Sequence, residues 1–252
     1  MATEKSLAIV LRVIEFSETS VIATLFTEQL GKISALAKGA RRPKSPFEAA
    51  LDLLAVCRIV FIHKSSEALD LLTEAKLERR FRSATRSLSR LYAGYYVSEL
   101  LYDLTDPGDP HPELFRAANQ CLLDLDQGEP VAGTVLRFEL SLLRELGLLP
   151  SLDICVGCSE RVEQRGRTAF GLLAGGVLCP RCRSGQRSVV SVSEAAMNAM
   201  RLLAEPAGDA WRGTALDRGT RGELRGLVGN YIAHVLGHRP KMHKYLGMLD
   251  AG

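Results

Sequence analysis

The stretch from Cys155 to Cys182 constrains this chain more than any other. It holds four of the six cysteines as two C-x2-C pairs, Cys155/Cys158 and Cys179/Cys182, with twenty residues between the pairs. Two thiolates at that spacing reach one tetrahedral ion, and a second pair brought in by a short hairpin completes a four-thiolate site. Turn residues are in place: Gly157 inside the first pair, Pro180 inside the second, and Gly175-Gly176 ahead of Cys179. A closed set of four thiolates leaves no position for water, so the spacing predicts one structural zinc ion per chain rather than a catalytic metal. Arg161, Arg165, Arg181 and Arg183 are near enough in sequence to offset the excess negative charge of such a site. The segment has few large apolar side chains and needs a staple of this kind to fold. The plain alternative is four buried thiols without metal. Cys57, in an apolar strand, and Cys121, on an apolar helix face, are expected in the core.

Composition sets the class around that module. The chain has 252 residues, 46% hydrophobic and 24% charged, with a net charge of +3. That balance describes a soluble globular protein with room for two or three small domains. No window approaches the roughly 18 uncharged apolar residues of a membrane span. Glu4 and Lys5 precede a short alternating segment without a cleavage site, so no signal peptide is expected and the cytoplasm is the default location. Thiols stay reduced there, which again favours metal over disulfides. Residues 81–150 are net acidic and the segments on both sides are net basic, which leaves room for a local anionic partner such as a phosphate backbone.

Periodicity divides the rest. Ala8–Ile14, Ser20–Phe26, Lys32–Ala37, Leu54–Ile62 and Leu69–Leu77 have the composition of short strands, with Gly31 and Lys64–Glu67 as turns. Five strands in about seventy residues fit a small closed barrel, either an OB-fold or an SH3-like one. After Arg79-Arg80 the spacing becomes helical. Leu88 to Tyr102 is broken by Pro107-Gly108, a second helix runs from Pro112 to Gly128, and a third from Pro130 to Gly147. Beyond the cysteines, Ser193 caps a helix through Leu203. Residues 205–219 look like a loop holding the only tryptophan, Trp211. Thr220-Arg221-Gly222-Glu223 matches a capping box ahead of a last helix that Gly237 and Pro240 close.

Nothing in the chain matches a phosphate-binding G-x4-G-K-[ST] loop, a G-x-S-x-G elbow or a G-x-G-x-x-G turn. His234 and His238 have zincin-like spacing, but Val235 stands where the glutamate base belongs. A zinc-finger glycosylase would need an N-terminal proline nucleophile, and Ala2-Thr3 offers none. No enzyme is expected. Two basic clusters remain. Lys38, Arg41, Arg42 and Lys44 put four positive charges in seven residues between the third and fourth strands. Such a loop can follow a phosphate backbone, or be an ordinary solvated loop. Arg239, Lys241 and Lys244 form a second cluster near the C-terminus. Phe16, Phe26, Phe47 and Phe61 are the barrel's aromatic candidates for base stacking, with core packing expected of most of them.

These stretches together resemble one family. LRVIEFSETSVIATLFTEQLGKISALAKGARRPKS resembles the opening domain of the RecO recombination-repair mediators. GLLPSLDICVGC followed by GGVLCPRC resembles that family's zinc module, and HRPKMHKYL its basic end. The likeness covers nearly the whole chain in the same order. It implies an α+β multi-domain protein: a five-stranded OB-fold barrel over 1–80, then a helical bundle over 81–150 and 191–252 with a four-cysteine zinc module inserted at 151–190. It implies binding of single- and double-stranded DNA in the nucleoid, strand annealing, association with RecR, and no catalytic turnover. It also implies contact with the C-terminal tail of single-stranded DNA-binding protein and, indirectly, help for RecA on coated strands. Lys38, Arg41, Arg42 and Lys44 match the family's basic loop. Met242-His243 stand where Ser-Arg is expected, leaving Arg239, Lys241 and Lys244 as the cations of a second DNA contact. The partner tail, acidic with an apolar end, is expected on the helices at Arg116 and Arg137. The competing reading is a zinc-stabilised protein–protein adaptor without direct DNA binding.

Overall fold

The computed structural model describes residues 2–47, 50–64, 69–163, 166–206, 211–212 and 216–250. Arg165, Ser65 to Glu67 of the expected turn, and much of the 205–219 segment lie outside them. The chain divides into two compact units between Glu129 and Pro130.

In the first unit, β1 (Ala2–Glu15), β2 (Val21–Thr27), β3 (Gly31–Ala37), β4 (Val56–His63) and β5 (Asp70–Arg79) form a closed barrel in the order β1-β2-β3-β5-β4. β1 is long enough to pair twice, with β4 through Ala2–Ile9 and with β2 through Ala8–Glu15. A register shift between Val10 and Arg12 bends it from one neighbour to the other. Three parallel pairs, Ala35 with Asp70 through Ala37 with Leu72, close the circuit. That strand order is the OB-fold's and sets aside the SH3-like alternative. Alternate residues fill the interior: Val21, Ala23 and Leu25 from β2, Ile33, Ala35 and Ala37 from β3, Cys57, Ile59 and Phe61 from β4. Gly31 ends the β2–β3 turn at φ +68°, and a Cβ there would lie 2.2 Å from the Asp109 carbonyl oxygen.

A 3-10 turn (Arg82–Thr85) leads into α1 (Leu88–Leu104), where the Ser87 hydroxyl accepts from the Arg90 N–H. α2 (Pro112–Gln127) begins on its proline and stops at Gly128, which takes φ 99°. Both helices pack on the barrel. Ser98 Oγ donates to the Leu11 carbonyl at 3.0 Å, and the Phe115 and Phe26 rings lie 6.3 Å apart. Cys57 and Cys121 are buried, as expected.

The second unit contains α3 (Val131–Glu145), β6 (Arg167–Gly171), β7 (Gly176–Leu178), α4 (Pro180–Arg183), β8 (Val189–Ser193), α5 (Glu194–Ala204), α6 (Arg218–Leu236) and 3-10 turns over Lys241–Asp250. α3 is buried on several sides, and its Glu139, fully enclosed, pairs with Arg225 of α6. Two expectations need correction. The cysteine segment is more than a hairpin: β7-β6-β8 form an antiparallel sheet that buries Phe170, Val177, Leu178 and Val192. The capping box at Thr220 does not form. Asp217 caps α6, accepting from the N–H groups of Gly219 and Thr220, and Glu223 instead accepts from the N–H and hydroxyl of Ser193. A carboxylate further along the helix is free to serve the start of another helix, here α5, once the first turn is already capped.

Candidate metal centre and nucleic-acid interface

The cysteine quartet is assembled by two backbone knuckles. Cys155 and Cys158 sit in the loop after α3, and Cys179 and Cys182 at the end of β7 and on α4. Val156 donates its N–H to the Val177 carbonyl at 3.1 Å, which ties the first knuckle to β7. The four sulfurs lie within 4.8 Å of one another, and Cys158 and Cys179 stand 3.8 Å apart. A tetrahedron with metal–sulfur bonds of about 2.3 Å has edges of about 3.8 Å. All six cysteines are free thiols, so the quartet is not a pair of disulfides.

The surroundings suit thiolates. Cys155 Sγ accepts N–H bonds from Gly157 at 3.4 Å and Cys179 at 3.3 Å, and Cys179 Sγ accepts from Cys182 at 3.4 Å. Burial would raise the Cys155 thiol, but the N–H donors of Cys179, Gly157 and Cys158 outweigh it and hold it down at about 6. The neighbouring Cys179 sulfur, then burial, push Cys182 up to about 12. A thiophilic cation binds such sulfurs as thiolates and releases their protons. A Cβ on Gly157 would lie 2.9 Å from Cys182 Cβ, so the knuckle requires glycine. Arg181 pairs with Glu160 at 2.6 Å and faces the sulfurs of Cys158 and Cys179 as well. Arg161 and Arg183 are exposed. The residues therefore fit a metal ion, with every coordination position filled by protein. His234 and His238 are both exposed and take no part in a ligand cluster among the described residues.

The basic loop leaves β3 at the barrel's end. Lys38, Arg41, Arg42 and Lys44 are all exposed. Backbone contacts hold the loop: Arg42 N–H to the Gly39 carbonyl at 3.0 Å, Arg41 N–H to the Thr19 carbonyl at 3.0 Å, and Gly39 N–H to Ser20 Oγ at 3.3 Å. Arg41 pairs with Glu15 at 3.1 Å across open solvent, a contact too exposed to hold the guanidinium firmly. A hollow of about 590 Å³ adjoins the loop, lined by Val13, Arg41, Arg42, Lys44, Phe47 and Leu51 among others. Phe26, Phe47 and Phe61 are buried, and only Phe16 of the four aromatic candidates is exposed, at 59%.

The C-terminal cluster belongs to the second unit. Arg239, Lys241 and Lys244 are exposed. Arg239 donates to Asn230 at 3.0 Å, and Lys244 lies 4.9 Å from the Tyr245 ring centroid. His243, between the lysines, turns inward against Gly229, and burial, with Arg239 and Arg225 nearby, lowers its pKa. Of the two arginines expected to meet a partner tail, Arg116 pairs with Glu113, while Arg137 donates to the carbonyls of Leu203, Glu205 and Pro206 at the end of α5. Spacing alone missed the better-shaped surface: a pocket of about 240 Å³ in the second unit, lined by Ala132, Leu202, Leu203, Trp211, Arg212 and Arg221 among others. Its only trace in the sequence was the single tryptophan in the 205–219 segment.

An OB-type barrel with a cationic loop, joined to a helical unit carrying a metal-competent four-cysteine module, defines the class of protein. Comparison with known proteins gives the family. Residues 1–81 match the model described as Recombination protein O N terminal, and residues 85–244 the one described as Recombination protein O C terminal. Curated relatives named DNA repair protein RecO include those of Rhodopirellula baltica, Myxococcus xanthus and Symbiobacterium thermophilum. The first is 43% identical, covering 95% of this chain and 97% of that one. The second is 32% identical over 96% of each, and the third 37% identical over 77% of each. The chain belongs to the RecO family. Among the described residues, no helix is long and apolar enough to cross a membrane.

Proposed function

We propose that this protein is a non-enzymatic, DNA-binding mediator of recombinational repair in the cytoplasm, where it anneals complementary single strands and helps a recombinase load onto coated DNA. The observation that carries the reading is the exposed row Lys38, Arg41, Arg42 and Lys44 on the OB barrel. Such a loop follows phosphates by charge and by bidentate guanidinium contacts, without reading bases. Arg239, Lys241 and Lys244 supply a second cationic stretch for DNA. The quartet holds one zinc ion in a structural role, since four thiolates leave it no position at which to activate water. RecR and the tail of single-stranded DNA-binding protein are the proposed protein partners, with RecA served indirectly. For the tail, the pocket at Trp211 suits an apolar end, with Arg212 and Arg221 to meet its acids, better than Arg116 or Arg137 does.

The test is DNA affinity against salt for the wild type and for the variant with Lys38, Arg41, Arg42 and Lys44 all changed to Ala. The variant is expected to bind more weakly, with a salt slope lower by about 0.7 for each lost single-strand contact. Circular dichroism should match the wild type, because an exposed charged loop contributes little to a core. A folded variant with unchanged affinity and slope would favour the adaptor reading.

A further inference from the structure

The first unit carries a second concentration of positive charge. Between Glu78 and Glu99 the chain has five arginines, Arg79, Arg80, Arg82, Arg86 and Arg90, and no acid. Two of them hold the fold. Arg79 bonds the carbonyl and side chain of Asn119 and lies 3.6 Å from Asp126. Arg90 donates to the carbonyls of Leu125 and Gly128 at the end of α2. The other three, Arg80, Arg82 and Arg86, are exposed, and among the described residues their side chains make no ion pair or hydrogen bond.

With Arg79, these three line a hollow of about 550 Å³ beside α2. The acids on its rim are already engaged. Glu78 pairs with Arg58 at 3.0 Å. Asp126 accepts the backbone N–H of Ser83 at 2.7 Å and of Arg82 at 3.3 Å, besides facing Arg79. The guanidinium groups of Arg80, Arg82 and Arg86 therefore face solvent without compensation. Apolar lining is confined to Leu77 and Leu123. That suits a repeating anion such as a phosphate backbone better than an acidic peptide with an apolar anchor.

Topology relates this cluster to the first one. β3 and β5 are parallel neighbours, so the Lys38–Lys44 loop and the arginines both follow strand ends that point the same way, with β5 running on from Leu72, the partner of Ala37, to Arg79. The β3–β4 connection, which begins with that loop, also meets the arginine segment on one helix. A Cβ at Gly94 of α1 would lie 2.6 Å from Leu54, which ends the β3–β4 connection, and 2.9 Å from Phe81, between Arg80 and Arg82. Leu54 and Phe81 are both buried there, which ties the end of that connection to the arginine segment.

We propose that Arg80, Arg82 and Arg86 form a second phosphate-backbone site, which holds a second nucleic-acid strand beside the strand on the Lys38–Lys44 loop. The proposal rests on the reading that this loop takes the first strand. Two strands repel each other, and two cationic rows on one rigid frame offset that repulsion while leaving the bases free to pair.

The test uses the full chain with Arg80, Arg82 and Arg86 all changed to Ala, a second variant with all three changed to Lys, and the loop variant above. Two non-complementary oligonucleotides, one with a donor dye and one with an acceptor, report joint occupancy by energy transfer. Affinity for a single oligonucleotide and the annealing rate of a complementary pair are measured in parallel. The Ala variant is expected to keep single-strand affinity within about twofold, to lose the energy transfer, and to show a salt slope for second-strand capture lower by about 2, three contacts at about 0.7 each. The Lys variant should retain capture, because point charges suffice on a backbone, and this separates loss of charge from loss of fold. Unchanged energy transfer and annealing in the Ala variant would overturn the proposal, as would loss of capture in the Lys variant. Abolished single-strand binding in the Ala variant would also overturn it, by making this cluster the first site. The separate reading of the loop fails on its own terms if the loop variant binds a single strand normally.

Discussion

The backbone N–H of Cys179 donates to the sulfur of Cys155 at 3.3 Å, so one hydrogen bond joins the two knuckles of the cysteine module. The bond lowers the charge cost of a Cys155 thiolate and fixes the second pair against the first. Replacing Cys179 with Ser removes a ligand but leaves this N–H in place. Metal analysis of the purified variant should show zinc falling well below one per chain, and calorimetry should show the second unit destabilised by several kcal/mol. Single-strand affinity should stay close to wild type, because none of the four cysteines is among the residues proposed to contact DNA.

Gly157 gives a finer test of the same site. A Cβ there would crowd Cys182 Cβ at 2.9 Å and its sulfur at 3.0 Å. Gly157→Ala keeps all four ligands but displaces one knuckle, so zinc affinity should fall by about 10–100-fold in competition with a chelator. Affinity equal to wild type would mean that the knuckle tolerates a side chain.

Phe16 is the aromatic the barrel leaves in solvent, at the turn between β1 and β2, next to the Glu15 that meets Arg41. If a base stacks there, Phe16→Ala should weaken single-strand binding by about 1–3 kcal/mol. Duplex binding and the salt slope should not change, because no charge is lost. Anisotropy titrations with single- and double-stranded oligonucleotides of one sequence check this.

The Glu139–Arg225 pair joins α3 to α6 with the carboxylate fully enclosed. Arg225→Ala would take a charged partner from that enclosed carboxylate and should cost about 3–5 kcal/mol in urea unfolding. Changing both residues to apolar ones of similar size should recover much of the loss, since the pair's own net contribution is small.

His243 carries a pH dependence of predictable sign. Burial, then Arg239 and Arg225, lowers its pKa below the ordinary histidine value. The folded chain therefore binds fewer protons than the unfolded one at this site, and stability rises with pH. The contribution is present above the unfolded value of about 6.5 and is lost as pH falls through the lower folded value. His243→Gln should flatten the fall in melting temperature between about pH 7 and 5.

Features that depend on neighbours along the chain were legible in the order of its residues. Gly128 and Gly237 stop their helices in the left-handed conformation, Ser193 caps α5, and Gly31 turns β2 into β3, because each is a local backbone choice. The spacing of the cysteines likewise carried the metal site, since ligand geometry limits what two C-x2-C pairs can do. Strand number did not separate an OB-fold from an SH3-like barrel. That was decided by the parallel meeting of β3 with β5, a contact between residues more than thirty positions apart. Glu223 looked like the partner of Thr220 three residues before it, but tertiary packing brought Ser193 within reach and Asp217 had already taken the cap. Nothing in the order of Arg79, Arg80, Arg82, Arg86 and Arg90 along the chain tells them apart, and only the fold separates the two that bind carbonyls and carboxylates from the three that face solvent. Local backbone preferences and ligand spacing act over a few residues and are written in order along the chain. Which charges are left without partners depends on what the folded surface brings beside them.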